Sequence, residues 1–335
     1  MRMKKLLNDP KLYVDEMLDG LCAAHPVYYR RLGESGRVIV RANGPEKGKV
    51  GIVSGGGSGH LPLFTGYVGP GFIDACAIGN VFAGPSVDDC VAAMQAADGG
   101  AGVLRLYGNY GGDRMNFDMA GELLEAGGVE TTTVLGADDV ASAPPAEKEK
   151  RRGVAGLIYV YKLAGAKAEQ RGATLREVTA LASKAAAAVA TTGVALGPCI
   201  VPEAGRPTFT IAEDEIEMGM GIHGEPGIWR GKLQPADAIA GEMLERILGD
   251  LKPGRGERVS VLVNSLGATP HEELYILYRH VARELAAKGL SIVSPLVGRY
   301  VTSMEMAGAS ISVIRLDGEL ETLLHAPARC PFWIV

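Results

Sequence analysis

Short apolar runs alternate with segments of helical periodicity along the first half of the chain. Residues 49–60 (KVGIVSGGGSGH) form an apolar run that ends in glycines, and residues 87–97 (VDDCVAAMQAA) have the apolar spacing of a helix. A second apolar run follows at 102–110 (GVLRLYGNY), and residues 113–128 predict a helix that stops at glycine. This order of strand, helix and strand predicts a parallel, layered α/β domain.

The second half repeats this alternation with a different sequence. Residues 174–177 (TLRE) have the spacing of a capping box before a helical segment, and residues 258–298 predict another strand, helix and strand. We therefore expect two layered α/β domains with mainly parallel or mixed sheets, one over residues 1–190 and one over residues 191–335. The charged stretch 141–152 (ASAPPAEKEKRR) is expected to be an exposed loop of the first domain, because the helical segment after it is needed to cover that sheet.

Composition and charge argue against several classes of function. The chain has 335 residues, a formal net charge of −5 and only short positive runs, so a nucleic-acid partner is not expected. Its five cysteines are scattered without a C-x-x-C pair, which favours a reducing cytoplasm over a disulfide framework or a zinc ribbon. The basic N-terminus is soon interrupted by polar residues and proline, so we expect neither a secretion signal nor a membrane span.

The first glycine-rich stretch, residues 54–62 (SGGGSGHLP), follows a predicted strand. Glycines there let backbone N–H groups approach a ligand, and loops at strand ends are the usual ligand positions in open α/β sheets. A tight turn without a ligand is the alternative. The stretch has neither the ending of a Walker loop nor the spacing of a dinucleotide site, and His60 at its end favours ligand binding.

Asp113 stands where the helix after the second apolar run begins, within residues 107–117 (YGNYGGDRMNF). One interpretation is an N-cap aspartate, whose carboxylate accepts hydrogen bonds from the N–H groups of the first helical turn. The other is a general base that acts with a histidine on a neighbouring strand end to remove a proton from a substrate hydroxyl. The residues alone leave both interpretations open.

A histidine between glycines, His223, lies within residues 213–227 (EDEIEMGMGIHGEPG). A lone histidine is usually structural, but flanking glycines remove the side chains that would bury the imidazole. A neutral imidazole is a competent nucleophile near pH 7, because its unperturbed pKa is about 6.5. A metal ligand is less favoured, since the nearby carboxylates lie on a strand-like run and no second histidine has metal spacing. We therefore expect no metal site.

These stretches occur in one order together with further motifs. SGGGSGH, NYGGDRMNF and EMGMGIHGEPG are joined by RRGVAG, VALGPC, VNSLGATP, TSMEMAG and HAPA. With MKKLLNDP, which begins at residue 3, these motifs extend to near the C-terminus. In these motifs, essentially the whole chain resembles the substrate-binding subunit of dihydroxyacetone kinase. The resemblance implies a phosphotransferase that acts on an alcohol group of a short ketose.

The resemblance also implies a role for the residues singled out above. His223 would attack the substrate carbonyl and hold the ketose as a covalent hemiaminal, which distinguishes a ketone from a polyol such as glycerol. His60 and Asp113 would act on the hydroxyl that receives the phosphoryl group. The glycine loop matches the family's substrate cradle. The expected substrate-binding residues are the cradle and the three catalytic side chains: Gly57, Ser58, Gly59, His60, Asp113 and His223.

Two positions depart from the pattern of the better-known members. Leu61 stands where those members have a glutamate, and Gly108 stands where they have a lysine just before the N-Y motif. The loss of both charged groups could be structurally neutral, or it could tune the pocket for a longer ketose such as the C4 sugar erythrulose. We therefore expect a short ketose, dihydroxyacetone or an erythrulose-like sugar, with the choice between them open.

A partner is a further implication of the resemblance. Family enzymes that use ATP directly carry a helical nucleotide-binding domain on the same chain, and we expect that domain to be absent from these 335 residues. No cofactor is expected on this chain, and ADP or ATP with Mg is expected on a helical nucleotide-binding subunit. Either ATP or a phosphocarrier of the sugar phosphotransferase system is the expected ultimate donor, and a homodimer is expected on resemblance alone.

A hypothesis from a different class stays open. The family includes a non-catalytic paralogue that binds the ketose through the same histidine and acts as a regulatory coactivator. Retention of His60 and Asp113 favours the kinase subunit over this role. An enzyme that binds a nucleotide on the glycine loop is less favoured, because no phosphate-binding lysine accompanies the loop.

Overall fold

A computed structural model describes residues Lys4–Ile334, which form two compact units. The first unit consists of three segments: the chain up to Gly136, Ile158–Ala185, and the chain from Thr322 onward. The second unit consists of two segments: Ala137–Leu157 and Ala186–Glu321. The chain therefore passes from one unit to the other four times.

The first unit is built on a six-stranded sheet. Its strands are β1 (Tyr29–Leu32), β2 (Val38–Arg41), β3 (Gly51–Ser58), β4 (Ala75–Val81), β5 (Val103–Gly108) and β6 (Thr131–Gly136). They lie in the order β1-β2-β4-β3-β5-β6. The neighbours β4, β3, β5 and β6 run parallel, whereas β1 and β2 pair antiparallel. All eight residues of β3 are buried, as is typical of a parallel strand covered on both faces.

Helices and short turns complete this part of the chain. The helices are α1 (Tyr13–Ala24), α2 (Val87–Ala97), α3 (Gly111–Ala126), α4 (Leu157–Ala168) and α5 (Leu175–Ala188). Short 3-10 segments lie at Pro10–Leu12 and Thr65–Tyr67 and, within the second unit, at Pro145–Lys150. The capping box predicted before α5 is confirmed, because the Glu177 carboxylate accepts hydrogen bonds from the Thr174 N–H (2.9 Å) and hydroxyl (2.8 Å).

The second unit is built on a seven-stranded sheet. Its strands are β7 (Val189–Gly197), β8 (Glu215–Met218), β9 (Trp229–Lys232), β10 (Arg258–Ser265), β11 (Ser291–Ile292), β12 (Leu296–Gly298) and β13 (Ala307–Leu316). The order is β11-β10-β13-β7-β8-β9, with β12 also beside β10. Only the pairs of β10 with β11 and β12 are parallel among these named strands. Both large sheets are mixed, so the predicted α/β fold is confirmed.

The core of the second unit lies between this sheet and helices α6 (Ala236–Leu251) and α7 (His271–Ala287). Both helices place apolar residues three or four positions apart on their buried faces, the spacing of an amphipathic helix. The buried members include Ile239, Met243, Ile247, Leu274, Val281, Leu285, Val261, Val263, Ile311 and Val313. The last elements of the chain are α8 (Gly318–Leu324) and a terminal strand pair, β14 (Arg329–Cys330) with β15 (Trp333–Ile334).

These two units differ from the two domains predicted from the sequence, which meet at a single boundary after residue 190. The stretch 141–152, expected in the first domain, lies in the second unit instead. Two interactions explain this placement: Val140 donates its N–H to the Thr191 carbonyl at 3.0 Å, and buried Arg151 forms an ion pair with Asp250 at 2.9 Å. Helix α4, which follows the stretch, nevertheless belongs almost entirely to the first unit.

Lys162 of α4 is buried in the first unit with 0% of its surface exposed. Its ammonium group donates a hydrogen bond to the Leu323 carbonyl at 2.6 Å. Burial lowers the pKa of Lys162 to about 8, because the charged form loses its hydration. The fold therefore disfavours the protonated form of this side chain relative to the unfolded chain.

We predict that the free energy of unfolding of the wild type rises relative to that of Lys162→Met between about pH 8 and pH 10.5. In this window the unfolded chain holds the lysine proton and the folded chain has released it, so raising the pH favours the folded state. The relative gain should reach roughly 3 kcal/mol, at about 1.4 kcal/mol for each unit of pKa difference. Urea unfolding of both proteins across this range measures it, with Lys167→Met as a control on the same helix. A stability difference that does not change with pH contradicts the prediction.

The glycines at the end of β3 pack tightly against other residues of the first unit. A methyl group at Gly56 would overlap the Phe64 ring, and one at Gly57 would lie 2.7 Å from the Phe82 Cα and the Ala83 nitrogen. Real side chains essentially never approach backbone this closely. Gly56 therefore makes room for the Phe64 ring, and Gly57 lets the Phe82–Ala83 backbone lie directly against β3.

We predict that Gly57→Ala destabilises the protein by about 1–3 kcal/mol, the usual cost of overpacking a core. Gly20→Ala is the matched control, because Gly20 lies within α1 and a methyl group there would meet nothing within 4 Å. That control should be stabilised by about 0.5–1 kcal/mol, since alanine favours the helix over glycine. Denaturant midpoints measure both effects, and a Gly57→Ala protein as stable as the wild type would contradict the packing described.

Candidate active site

The carboxyl ends of three neighbouring parallel strands form one edge of the first sheet. Strand β3 leads into Gly59 and His60, β4 leads into Phe82, and β5 leads into the first turn of α3. In open α/β sheets this edge is where ligands bind. The structure therefore brings His60 and Asp113 to the same edge of one unit, where the sequence alone could not place them together.

The His60 side chain is enclosed by aromatic rings. It is 1% exposed, and its imidazole stacks on the Phe82 ring with centroids 5.0 Å apart and an interplanar angle of 26°. The Phe64 ring meets it edge-on, with a centroid distance of 6.3 Å. Phe82 itself has a φ of 59°, a conformation that non-glycine residues rarely adopt. Packing against the Phe82 and Phe64 rings thus fixes the plane of the imidazole.

Asp113 is buried in the first turn of α3. The N-cap residue of this helix is Tyr110, so Asp113 is not the N-cap that one interpretation of the sequence suggested. The positive end of the helix dipole stabilises a carboxylate at this position. Gly84 lies against the Asp113 Oδ1 atom, because a methyl group at residue 84 would overlap it. The segment from Phe82 to Gly84 therefore contacts both His60 and Asp113.

The residues of the expected substrate cradle differ in accessibility. Gly57 and Ser58 are the last two residues of β3 and are buried, whereas Gly59 is partly exposed and has a φ of 101°. Of the two departures from the family pattern, Leu61 is partly exposed directly after His60, and Gly108 is buried at the end of β5. Gly59 is thus the cradle residue with backbone open to an approaching molecule.

His223 belongs to the second unit, in the segment that connects β8 and β9. Its side chain is 22% exposed, so the imidazole is accessible as the flanking glycines suggested. The segment is closed by backbone hydrogen bonds from the Gly221 N–H to the Glu225 carbonyl (3.1 Å) and from the Gly224 N–H to the Gly221 carbonyl (3.0 Å). The Ser303 hydroxyl also donates to the Ile222 carbonyl. The histidine is therefore presented on an ordered turn.

Glu225 holds His223 through both of its oxygens. Its Oε1 atom lies 2.9 Å from the His223 Nδ1 atom, and its Oε2 atom accepts the His223 backbone N–H at 3.0 Å. Burial alone would raise the pKa of Glu225, but the hydrogen bond and charge of His223, with Arg152 nearby, lower it to about 2. The carboxylate is therefore ionised at neutral pH and accepts both hydrogen bonds.

Arg152 lies behind this carboxylate and is itself anchored. Its guanidinium is 3.8 Å from Glu225, forms an ion pair with Asp139 at 2.8 Å, and donates to the Gly219 carbonyl at 3.1 Å. Glu225, Arg152 and Asp139 were not among the site residues predicted from the sequence. Glu225 and Arg152 do stand in two of the motifs that carried the resemblance, GIHGEPG and RRGVAG, and that was the available signal.

Two of the acidic residues that precede His223 have structural partners. Glu217 accepts the Gly227 N–H at 2.7 Å and pairs with Arg230 at 2.5 Å, and Asp214 forms an ion pair with Lys232. In the described chain, Lys4–Ile334, no group of three or more His, Cys, Asp or Glu residues is arranged to hold a metal ion. Across the same residues, every helix is too short or too polar to span a bilayer.

Known proteins match this chain over nearly its full length. Residues 19–332 match the Dak1 domain. The dihydroxyacetone-binding subunit of PTS-dependent dihydroxyacetone kinase 2 from Listeria innocua is 45% identical over 333 residues, which cover 99% of this chain and 100% of that protein. The D-erythrulose kinase of Mycolicibacterium smegmatis is 44% identical over 329 residues, which cover 98% of this chain but only 56% of that protein.

Two solved structures have the same fold. The dihydroxyacetone kinase of C. freundii in its native form gives a TM-score of 0.88 at 33% identity; the match covers 100% of this chain, which spans 60% of that one. A dihydroxyacetone kinase operon co-activator also gives 0.88, at 32% identity over 95% of this chain and 98% of the co-activator. Because the family match and the match to the Listeria subunit extend over almost the entire sequence, the chain belongs to the Dak1 domain family.

Proposed function

We propose that this chain is the ketose-binding subunit of a dihydroxyacetone-type kinase, a phosphotransferase with an alcohol group as acceptor. The observation that carries the proposal is the accessible His223 imidazole, whose Nδ1 atom is engaged by an ionised carboxylate at 2.9 Å. The relatives matched along their whole length are named as dihydroxyacetone-binding subunits, which supports the same assignment. His223 would capture the ketose as a covalent hemiaminal.

Covalent capture explains how a small polar substrate can be selected. A ketone and a polyol such as glycerol present similar hydroxyl groups, so hydrogen bonds discriminate poorly between them. Only the ketone has an electrophilic carbon that an imidazole can attack. The capture would also fix the terminal hydroxyl for phosphoryl transfer, a reaction that depends mainly on positioning and charge stabilisation.

We assign the proton transfer at the terminal hydroxyl to His60 and Asp113. Both lie at the carboxyl edge of the first sheet, and the Phe82–Gly84 segment contacts each of them. An aspartate carboxylate in the first turn of a helix is a suitable general base, because it can accept a proton when the hydroxyl attacks. Gly57, Ser58 and Gly59 would form the backbone of the substrate cradle, with Gly59 as its accessible part.

The nucleotide would be held by a partner subunit. The glycine-rich loop at residues 54–60 has no phosphate-binding lysine, and the first unit uses its glycines for packing against Phe64 and Phe82. The fully matched relatives are subunits of kinases described as PTS-dependent or PEP-dependent. We therefore assign ADP or ATP with Mg to a helical partner subunit. Either a phosphocarrier would rephosphorylate the bound ADP, or free ATP would replace it. A cytoplasmic homodimer completes this proposal.

The substrate would be dihydroxyacetone or a C4 ketose. Three relatives near 40% identity are named as kinases of erythrulose, and each is longer than this chain. Leu61, an apolar and partly exposed residue next to His60, is compatible with either ketose. The first choice remains dihydroxyacetone, because the relatives that match this chain end to end are named for it.

A regulatory function is the second candidate. The operon co-activator matches this fold as well as the kinase does, at a TM-score of 0.88. Both functions require ketose binding, so binding alone does not separate them. Phosphorylation of the ketose in the presence of a nucleotide-binding partner does, because a coactivator would bind the sugar without turnover.

We predict that His223→Ala removes the preference of the protein for dihydroxyacetone over glycerol. Loss of the carbon–nitrogen bond should weaken ketose binding by at least about 100-fold, equivalent to roughly 2.7 kcal/mol. Isothermal titration with each ligand measures this. His280→Ala, which removes another partly buried histidine of the second unit, is the matched control and should bind like the wild type. Unchanged ketose affinity in His223→Ala would show that another group captures the substrate.

We predict that Asp113→Asn lowers phosphoryl transfer by roughly 10²–10⁴ while ketose binding persists, because only the proton acceptor is lost. The assay combines the chain, dihydroxyacetone, ATP, Mg²⁺ and a nucleotide-binding partner subunit. Asp118→Asn on the exposed side of the same helix is the control and should turn over normally. Wild-type turnover by Asp113→Asn would return this residue to a structural role, and turnover by the wild-type chain without a partner would contradict the two-subunit proposal.

A further inference from the structure

Glu225 is arranged to orient the His223 ring. One carboxylate oxygen contacts the ring nitrogen Nδ1 at 2.9 Å, and the other accepts the backbone N–H of the same histidine at 3.0 Å. Side chain and main chain of His223 are thus tied to one carboxylate. This leaves the imidazole little freedom to rotate about its side-chain bonds.

The contact also determines which ring nitrogen carries the proton. An ionised carboxylate can only accept hydrogen bonds, so Nδ1 must be the donor. In the neutral ring the proton is then on Nδ1, and the lone pair that can attack a carbonyl is on Nε2. The pKa of about 2 for Glu225 means that the carboxylate stays ionised at neutral pH.

Arg152 and Asp139 hold the carboxylate from behind. The Arg152 guanidinium lies 3.8 Å from Glu225, and Asp139 contacts two nitrogens of the same guanidinium at 2.8 and 3.0 Å. Asp139 is in turn fixed by the Ala141 N–H, which donates to its Oδ1 atom at 3.0 Å. The arginine is only 14% exposed, so this support is an ordered part of the fold and not a mobile surface pair.

Gly221 leaves the space that the Glu225 carboxylate and the Arg152 guanidinium occupy. A methyl group at Gly221 would overlap the Glu225 Oε2 atom and lie 2.5 Å from the Arg152 Nη1 atom. Any side chain at residue 221 would therefore displace the carboxylate or the guanidinium. The glycine is an independent indication that the turn is built around the Glu225 carboxylate.

We propose that Glu225, supported by Arg152 and Asp139, is a positioning residue that keeps the proton of His223 on Nδ1 and thereby makes Nε2 the attacking nitrogen. The inference rests on the proposed capture of a ketose by His223. In the step, the Nε2 lone pair forms a bond to the carbonyl carbon, and the carbon–oxygen π pair moves onto oxygen. The oxygen takes up one proton from solvent water, and the ring keeps its proton on Nδ1 as an imidazolium that stays hydrogen-bonded to the Glu225 carboxylate.

The charge of Glu225 assists this step as well as the orientation. While the carbon–nitrogen bond forms, the ring becomes positive, and an adjacent carboxylate stabilises that charge in a partly buried site. Residues that orient a metal-ligating histidine through its other nitrogen typically contribute 10–100-fold, and Glu225 contacts His223 in the same way. We therefore expect an effect of about this size on the rate of capture.

The test compares Glu225→Gln and Glu225→Ala with Glu215→Gln, which removes a carboxylate on β8. The first readout is the ¹⁵N chemical shifts of the His223 ring nitrogens without substrate, which distinguish the two tautomers. The wild type and Glu215→Gln should show the proton on Nδ1, and Glu225→Ala should show a mixture. Glu225→Gln keeps the shape of the side chain, so it serves if the alanine variant fails to fold.

The second readout is the rate at which each protein captures dihydroxyacetone in stopped-flow mixing. Both Glu225 variants should be slower by about 10–100-fold, with melting temperatures close to that of the wild type. A wild type that captures no ketose would contradict the proposed function, while the tautomer readout would still test the role of Glu225. Glu225 variants with the wild-type tautomer and wild-type capture rate, or an equal loss in Glu215→Gln, would overturn the inference.

Discussion

The carboxylate of Glu225 is partly buried beside His223, and a charge in such a place is stable only if its hydrogen bonds are satisfied. That requirement accounts for the local structure of the β8–β9 segment. The His223 N–H and Nδ1 supply two hydrogen bonds, Arg152 supplies a compensating charge, and Gly221 leaves the necessary space. An imidazole that would otherwise be a flexible side chain on a glycine-rich turn is thereby held in one orientation and one tautomer.

Glycine has a corresponding role in the first unit, where it acts by close packing and not by flexibility. The backbone after β4 can lie against the end of β3 because Gly57 has no side chain. This contact positions Phe82, on which the His60 ring stacks, and leads to Gly84, which lies against Asp113. The same glycine run that the sequence suggested as a ligand-binding loop is thus first of all a packing device for the two polar side chains.

Local patterns predicted local structure well. The capping box at residues 174–177 and the alternation of apolar runs with helices depend on neighbours in the sequence, and both are present in the structure. The membership of residues 141–152 in the second unit depends on Arg151 pairing with Asp250, 99 residues away, so periodicity could not reveal it. Likewise, Arg152 and Glu225 meet across 73 positions, and no local pattern predicts such a pair. Helix α3 begins at Gly111, two residues before Asp113, so Asp113 lies inside the helix and not at its predicted start. The sequence did not reveal this start, because helix ends are set by hydrogen bonding that composition does not specify.

The proposed capture of the ketose requires a bond between its carbonyl carbon and the Nε2 atom of His223. Dihydroxyacetone labelled with ¹³C at its carbonyl carbon, bound to protein labelled with ¹⁵N in histidine, tests this by NMR. The predicted result is a carbon resonance that leaves the carbonyl region for that of a tetrahedral carbon and shows a one-bond coupling to Nε2. A bound ketose whose labelled carbon remains a carbonyl or a hydrate, without coupling to any histidine nitrogen, would contradict it.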